Sequence, residues 1–401
     1  MIPFDNKTTE YKFFLALTCL IVYGHLYPFQ FILPSHLFEL TRISILNVIY
    51  GGFTDTVSNI LLFVPLGFIA VRSCRLPLKP FSYTLRITVF CFVFAFLLQL
   101  IQLFIETRVP SLLDAVLNAF GCAIGSYAGS VTKLRFFGGK RQRELWMSAP
   151  ILLCMAMIFS IMLPFIPTLD VGSLKNSLKP VLLNPEFSME KMFRYMTYWL
   201  VFCHFLLYDL KKEVTFKRLF LGITAVLISQ IFIEGRVLAI AKIAGSYAAL
   251  PVWYFMTKRL SFQGISWILI LMLVSIHTLY ALSPFEPAGN LKSFNFIPFA
   301  GFMHGSMLHN TIMFFEKLFI FGSVMWILEQ KWSGWKLYTA LCFSWTALIE
   351  ILQIGLSGHT PEVSDPVIIL LIALWLRQYR HLKYRIPVDA REDPSMERRE
   401  M

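Results

Sequence analysis

Twelve apolar runs, each close to the length that crosses a bilayer, follow one another along the 401 residues, and nothing else limits the possible folds as strongly. A hydrocarbon core about 30 Å thick takes roughly 20 helical residues, with about 17 as the usual lower bound. The runs lie near 13–28, 56–72, 85–105, 111–131, 149–166, 192–210, 218–235, 237–256, 265–283, 312–329, 337–356 and 363–377. The runs at 56–72 and 363–377 carry Pro65 with Gly67 and Pro366 respectively. Soluble cores do not recur so evenly, and backbone inside a bilayer must bond within its own segment, so each run is expected to be a helix. The predicted fold class is an all-α polytopic transmembrane protein of about 12 helices. A single soluble enzyme domain is excluded, in keeping with 57% hydrophobic and only 15% charged residues, against about 25% charged in ordinary soluble domains.

The net charge of +12 follows from topology. Sorted between the two sets of loops, 26 of the 36 Lys and Arg fall on the side of both termini and nine on the other, with Lys242 inside a span. The positive-inside rule then places both termini in the cytoplasm. No basic block with interleaved aromatics is present, so nucleic acid is not an expected partner. The first run ends in Tyr27-Pro28-Phe29-Gln30-Phe31, without small residues at a cleavage spacing, and is expected to be a retained helix. Residues 1–12 are an expected cytoplasmic N-terminus, and 381–401 an expected disordered, charged cytoplasmic tail. Seven scattered cysteines, without a CxxC or a histidine at ligand spacing, indicate neither a disulfide framework nor a metal site, and no cofactor is implied.

Two landmarks return three times. A Pro-Phe pair stands at Pro28-Phe29, Pro164-Phe165 and Pro284-Phe285, and a Gln follows in QLFIETRV from Gln102, QIFIEGRV from Gln230 and QIGLSGHT from Gln353. The Pro-to-Gln separations are 74, 66 and 69 residues, and EKMF at Glu190 is echoed by EKLF at Glu316. The expected organisation is three tandem four-helix units over 13–135, 149–260 and 265–380. In each, a long hydrophobic segment (about 29–55, 166–191 and 284–311) follows the first span and is expected to be re-entrant or interfacial.

Helical spacing places polar groups of the first unit on common faces. Asp114, Asn118, Gly121 and Gly125 form one stripe, Gln99, Gln102 and Glu106 a second, and Asp55 with Asn59 a third. All three end at the outer face, where Arg108-Val109-Pro110-Ser111 makes a tight connection, and Arg can grip phosphate or carboxylate bidentately. Candidate catalytic residues are Asp114, Arg108 and Asp55; candidate substrate-binding residues are Arg108, Asn59, Gln102, Asn118 and Ser111. Plainer readings stand beside these. Ser111-x-x-Asp114 also fits a helix capping box, Asn59 and Asn118 also suit interhelical bonding, and Gly121 with Gly125 also suits a close helix contact. Arg108 also fits a snorkelling anchor.

The second unit keeps Gln230, Glu234 and Arg236 but has Lys242 in the Asp114 place and Ser246 in the Asn118 place. The third has Glu350, Gln353 and Asp365, with His359 in the Arg place and Ile369 in the Asn place. Arg, Asp and Asn occur together in the first unit alone, so the other two are expected to scaffold it or to shape a shared groove. His304 and His309, five apart, do not share a helical face and read as interfacial polar residues.

At these residues the chain resembles the VanZ-like membrane family, named for glycopeptide (teicoplanin) resistance. The likeness rests on YPFQF from Tyr27, DTVSNILLFVPLGF from Asp55 and QLIQLFIETRVPSLLDAVLNAFGCAIG from Gln99, over about residues 27–130. The family pattern has Glu three residues before the Gln; here that place is Gln99, and in the third unit Glu350. The resemblance implies four-helix membrane domains acting on head groups of lipids or lipid-linked cell-wall precursors. On that analogy Arg108 would hold a phosphate, Asp114 and Asp55 would do acid/base or positioning work, and Asn59, Gln102 and Asn118 would orient them. Membrane lipids or lipid-linked envelope precursors are the expected partners, and any enzyme activity would be head-group transfer or hydrolysis. A multi-pass transporter and a non-catalytic scaffold or binding protein are the competing readings.

Overall fold

The computed structural model describes residues 9–31, 53–73, 80–105, 108, 110–131, 148–183, 185, 187–210, 215–303, 307–332 and 334–384. Among them the fold is all-helical. In chain order the helices are α1 Thr9–Leu26, α2 Phe53–Arg72, α3 Pro80–Gln102, α4 Leu112–Val131, α5 Ala149–Met162, α6 Val171–Leu182 and α7 Met189–Leu210. They continue as α8 Phe216–Ile231, α9 Ile240–Arg259, α10 Phe262–Leu282, α11 Ala300–Met303, α12 Met307–Lys331, α13 Trp335–Gln353 and α14 Ser364–Tyr384. A helix thus stands at each predicted span. Among the described residues, four stretches, Thr84–Gln102, Leu112–Ser130, Phe262–Leu282 and Leu308–Lys331, are long and apolar enough by themselves to cross a membrane. The chain is an all-α polytopic membrane protein.

Local sequence sets the helix ends. Ser148, Asp170, Thr215 and Ser261 are N-caps whose side chains accept the N–H groups of Ile151, Ser173, Arg218 and Gly264, respectively. Each thereby satisfies a backbone donor that has no partner inside the helix. Pro366 falls in the first turn of α14, where a missing N–H costs nothing, while Pro65 lies within a continuous α2. The segment 166–191, expected to be re-entrant or interfacial, contains α6. Of 29–55, most lies outside the described residues, as does 385–401 of the tail.

One backbone arrangement is found at three places. Tyr27-Pro28, Leu163-Pro164 and Ser283-Pro284 are cis, and the next residues, Phe29, Phe165 and Phe285, have φ of 64°, 60° and 64°. This left-handed region is uncommon for an aromatic side chain. Just beyond, isolated antiparallel bridges pair Phe31 with Ile105, Pro167 with Ile233 and Pro287 with Leu356. Each bridge partner lies three residues after the landmark Gln of its segment.

The chain divides into two compact units, Met1–Gly139 and Lys140–Met401. In the first, buried Phe63, Ile87, Cys91, Ala95 and Cys122 form the centre of an apolar core. There α2 and α4 touch backbone to backbone: a Cβ on Gly67, Gly121 or Gly125 would lie 2.1, 2.1 and 1.9 Å from the carbonyl oxygens of Cys122, Ile60 and Val64. Small residues permit this approach in a bilayer, where lipid is as apolar as a leucine surface and association depends on packing.

The second unit takes in both 149–260 and 265–380. Its core draws Leu200, Phe205, Leu273, Phe319, Phe321 and Tyr338 from both stretches. The edge of Phe159 on α5 meets Phe315 on α12, and a Cβ on Gly322 would come within 2.3 Å of Leu153. Apolar faces from the two predicted segments therefore bury each other.

Candidate functional site

In the first unit α2, α3 and α4 bring part of the predicted set together. Asn59 Nδ2 donates to Asp114 Oδ1 at 2.9 Å, joining α2 to the first turn of α4. One turn on, Asn118 is fully buried, and neither its Nδ2 nor its Oδ1 has a hydrogen-bond partner among the described residues. A buried amide left in that state is costly, so Asn118 supplies an unused donor and an unused acceptor one turn from Asp114. The side chain of Asp55, and Glu106 altogether, lie outside the described residues.

The remaining predicted residues are engaged with backbone. Ser111 Oγ accepts the N–H of Asp114 at 3.4 Å, a long contact in the capping geometry, and the N–H of Ser111 donates to Gln99 Oε1 at 3.0 Å. Gln102 Nε2 donates to the carbonyl of His25 at 2.8 Å. Arg108 donates through Nε to Tyr27 O at 3.0 Å and through Nη2 to Gly24 O at 3.1 Å, tying the carbonyl end of α1 to the α3–α4 connection. A cation at a helix C-terminus complements the dipole there. Burial pulls the Arg108 guanidinium below its ordinary value, but arginine stays charged.

The second unit repeats these engagements at the positions its sequence shares. Arg236 donates to Leu163 O and to Ser160 O, the latter at 3.0 Å, and burial lowers its guanidinium too. Gln353 Nε2 donates to Ala281 O at 2.7 Å, as Gln102 does to His25. Glu350 Oε2 accepts the N–H of Glu362 at 2.9 Å, twelve residues on, as Gln99 does from Ser111. Either an amide or a carboxylate can accept that N–H, which explains how Gln stands at 99 and Glu at 350. Gln230 differs: its Oε1 takes the Nζ of the buried Lys242 at 2.5 Å.

Sequence reasoning concentrated the chemistry in the first unit. A cavity rich in ionisable groups lies in the second, with a volume of about 550 Å³ between α7, α10, α12, α13, α14 and the stretch 358–362. Lys317 Nζ lies 2.5 Å from Asp365 Oδ1, and His277 Nε2 lies 3.8 Å from Asp365 Oδ2. Arg194 Nη1 approaches Glu316 Oε1 at 3.4 Å, and the same oxygen accepts the Tyr198 hydroxyl at 2.6 Å. Of these residues, Asp365 and the neighbouring Glu350 and Gln353 are legible in the sequence as the third-segment counterparts of Asp114, Gln99 and Gln102, whereas Arg194 and His277 carry no spacing signal. The EKMF and EKLF echoes that hold Lys191 and Lys317 were legible as a repeat and not as chemistry. Exposed His309 lines this cavity; His304 lies outside the described residues. Among the described residues no three or more His, Cys, Asp or Glu are grouped so as to hold a metal ion.

Residues 6–133 match the model of the VanZ/LLP1 family. No curated protein and no solved structure matches the chain. The matched span takes in α1 to α4 with Asn59, Arg108, Asp114 and Asn118, and the chain is accordingly a helical membrane protein that is VanZ-like over its first unit.

Proposed function

We propose that this protein acts at the outer leaflet of a bacterial cytoplasmic membrane, on the head group of a lipid or a lipid-linked cell-wall precursor. In this reading the chain crosses twelve times as three diverged four-helix units, with both termini cytoplasmic. Support for the repeat comes from the three Pro-Phe corners and from the matching bonds of Arg108 with Arg236 and of Gln102 with Gln353. The observation that carries the functional reading is the Asn59–Asp114 pair beside the unpartnered amide of Asn118. Intramembrane polar groups are expensive, and such a set is by default a site.

Asn59 orients the Asp114 carboxylate, which takes the proton of an attacking water or hydroxyl as its oxygen bonds to the head group. Asp114 returns that proton to the departing oxygen as the old bond breaks, while Asn118 offers its amide to the head group. With Nε and Nη2 of Arg108 held by the carbonyls of Tyr27 and Gly24, its Nη1 edge is left to meet a phosphate. Glycopeptide resistance would be a cellular consequence of altered precursor head groups.

The test uses full-length protein in vesicles containing phospholipid or a polyprenyl-linked phosphate, with head-group release or exchange read by mass spectrometry. Wild type is expected to turn over one of them, and Asp114→Asn to lose about 10²-fold or more, within the range of general acid–base contributions. Full turnover by Asp114→Asn would sink the reading. A cysteine at position 108 that is labelled only from the cytoplasmic side would overturn the placement at the outer leaflet.

A further inference from the structure

The cavity of the second unit has two unmet electrical demands of opposite sign. The first is at Arg194, whose side chain is only 15% exposed. Its one ion pair among the described residues is the 3.4 Å contact with Glu316 Oε1, an oxygen already held by Tyr198. The guanidinium carbon lies 5.6 Å from the centroid of Tyr195 and 4.7 Å from that of Tyr280. With one long ionic contact and a hydrogen bond to Tyr195, this buried guanidinium uses only part of its five donors, and its planar fork matches the oxygens of an anion. Lys191, at the exposed rim, adds positive charge from the same helix.

The second demand is at Lys317. Its ammonium faces Asp365 at 2.5 Å and stands within electrostatic range of Glu350 and Glu362. One cation thus answers three carboxyls, two of which, Glu350 and Asp365, are 97% buried. Buried like charges are tolerated only with compensation. Next to them His277, 95% buried, has an Nε2 with no hydrogen-bond partner, and the Nε2 of His359 in the same lining is also buried without one. Two imidazole nitrogens therefore have no partner among the described residues, and the three carboxyls, each already accepting one bond from Glu362 N, Gly301 N or Lys317, still outnumber the one cation that faces them.

We propose that this cavity binds a zwitterionic head group, a phosphate joined to a primary ammonium, with Arg194 taking the phosphate and the Glu350–Asp365 cluster and His277 taking the ammonium. Its volume, about 550 Å³, is within the range of small-molecule sites. An anion alone would leave the carboxyl surplus uncompensated, and a cation alone would leave the remaining N–H groups of Arg194 without an acceptor. The proposal does not rest on the chemistry assigned to Asp114, which belongs to the first unit.

The test measures binding by calorimetry to the full-length protein in non-ionic detergent, with phosphoethanolamine, inorganic phosphate and ethanolamine as probes. Phosphoethanolamine is expected to bind at least tenfold tighter than either fragment. Arg194→Gln should weaken phosphoethanolamine and phosphate but not ethanolamine, and Glu350→Gln should weaken phosphoethanolamine and ethanolamine but not phosphate. Lysophosphatidylethanolamine binding tenfold tighter than phosphoethanolamine identifies a lipid as the source, and equal binding identifies a soluble zwitterion. Phosphoethanolamine binding no tighter than phosphate, or both variants binding all probes as wild type does, overturns the proposal. Should the variants fail to fold, maleimide labelling of His309→Cys at the rim, read by mass spectrometry, should be slowed several-fold by phosphoethanolamine, and an unchanged rate overturns it equally.

Discussion

Gly125→Ala puts one methyl group where α2 and α4 are closest. The added Cβ would stand 1.9 Å from Val64 O, 2.8 Å from the Val64 carbonyl carbon and 2.9 Å from the Phe68 nitrogen, all backbone atoms that no rotamer change can move. Ordinary contact begins at 3.4 Å, so the helices must part by about 1.5 Å if neither is bent. The Asn59–Asp114 hydrogen bond bridges the same two helices at 2.9 Å; stretched by about that amount it exceeds 4 Å and ceases to be a bond. Overpacking costs about 1–3 kcal/mol and the lost hydrogen bond about 1 kcal/mol, while Ala for Gly in a helix returns about 0.5–1 kcal/mol. Net destabilisation is then about 1–3 kcal/mol. At about 2–4 °C per kcal/mol for a domain of 150–250 residues, the thermal midpoint in detergent should fall by several degrees. Head-group turnover should fall with it, through the lost orientation of Asp114. The control is Gly222→Ala, where a Cβ would meet nothing within 4 Å and the midpoint should hold or rise. A Gly125→Ala midpoint at or above wild type would refute the close approach of α2 and α4.

Other outcomes test the bonds described above. Gln230→Leu removes the 2.5 Å partner of Lys242 and leaves it Val237 O at 3.4 Å and the face of Tyr195 at 5.2 Å; a poorly compensated buried charge should cost about 3 kcal/mol in unfolding experiments, and Gln230→Glu should recover it. Equal stability of Gln230→Leu and wild type would contradict the pairing. Arg108→Lys and Arg236→Lys cannot span two carbonyls with one ammonium as a planar fork does, and each should lose about 1–3 kcal/mol. Stability unchanged in both would assign these arginines to ligand binding alone.

Much of the fold was legible because its causes are local. An apolar run of bilayer length commits its backbone to a helix, and Ser148, Asp170, Thr215 and Ser261 cap as short polar side chains do wherever a helix starts. The site was legible only in part. The stripe through Asp114 and Asn118 lies on one helix, so its spacing predicts a shared face, and Ser111 behaves as its capping spacing implies. Arg108 could not be assigned from sequence, because a guanidinium serves a phosphate or two carbonyls equally well until Gly24 and Tyr27 are brought within reach.

By itself the sequence determined the class of fold, the apolar segments, the asymmetric distribution of basic residues and the residues that recur at the three Pro-Phe corners, since each depends on composition or on spacing along one segment. Tertiary structure decided which helices meet and hence which polar groups share a space. Arg194 and Glu316 are 122 residues apart in sequence, and Lys317 and Asp365 are 48 apart. Helix faces in lipid are apolar toward neighbours and toward the bilayer alike, so hydropathy does not say which face meets which. Backbone approach at glycines, buried bulk and the pairing of costly charges settle that choice, and they act only once the chain is folded.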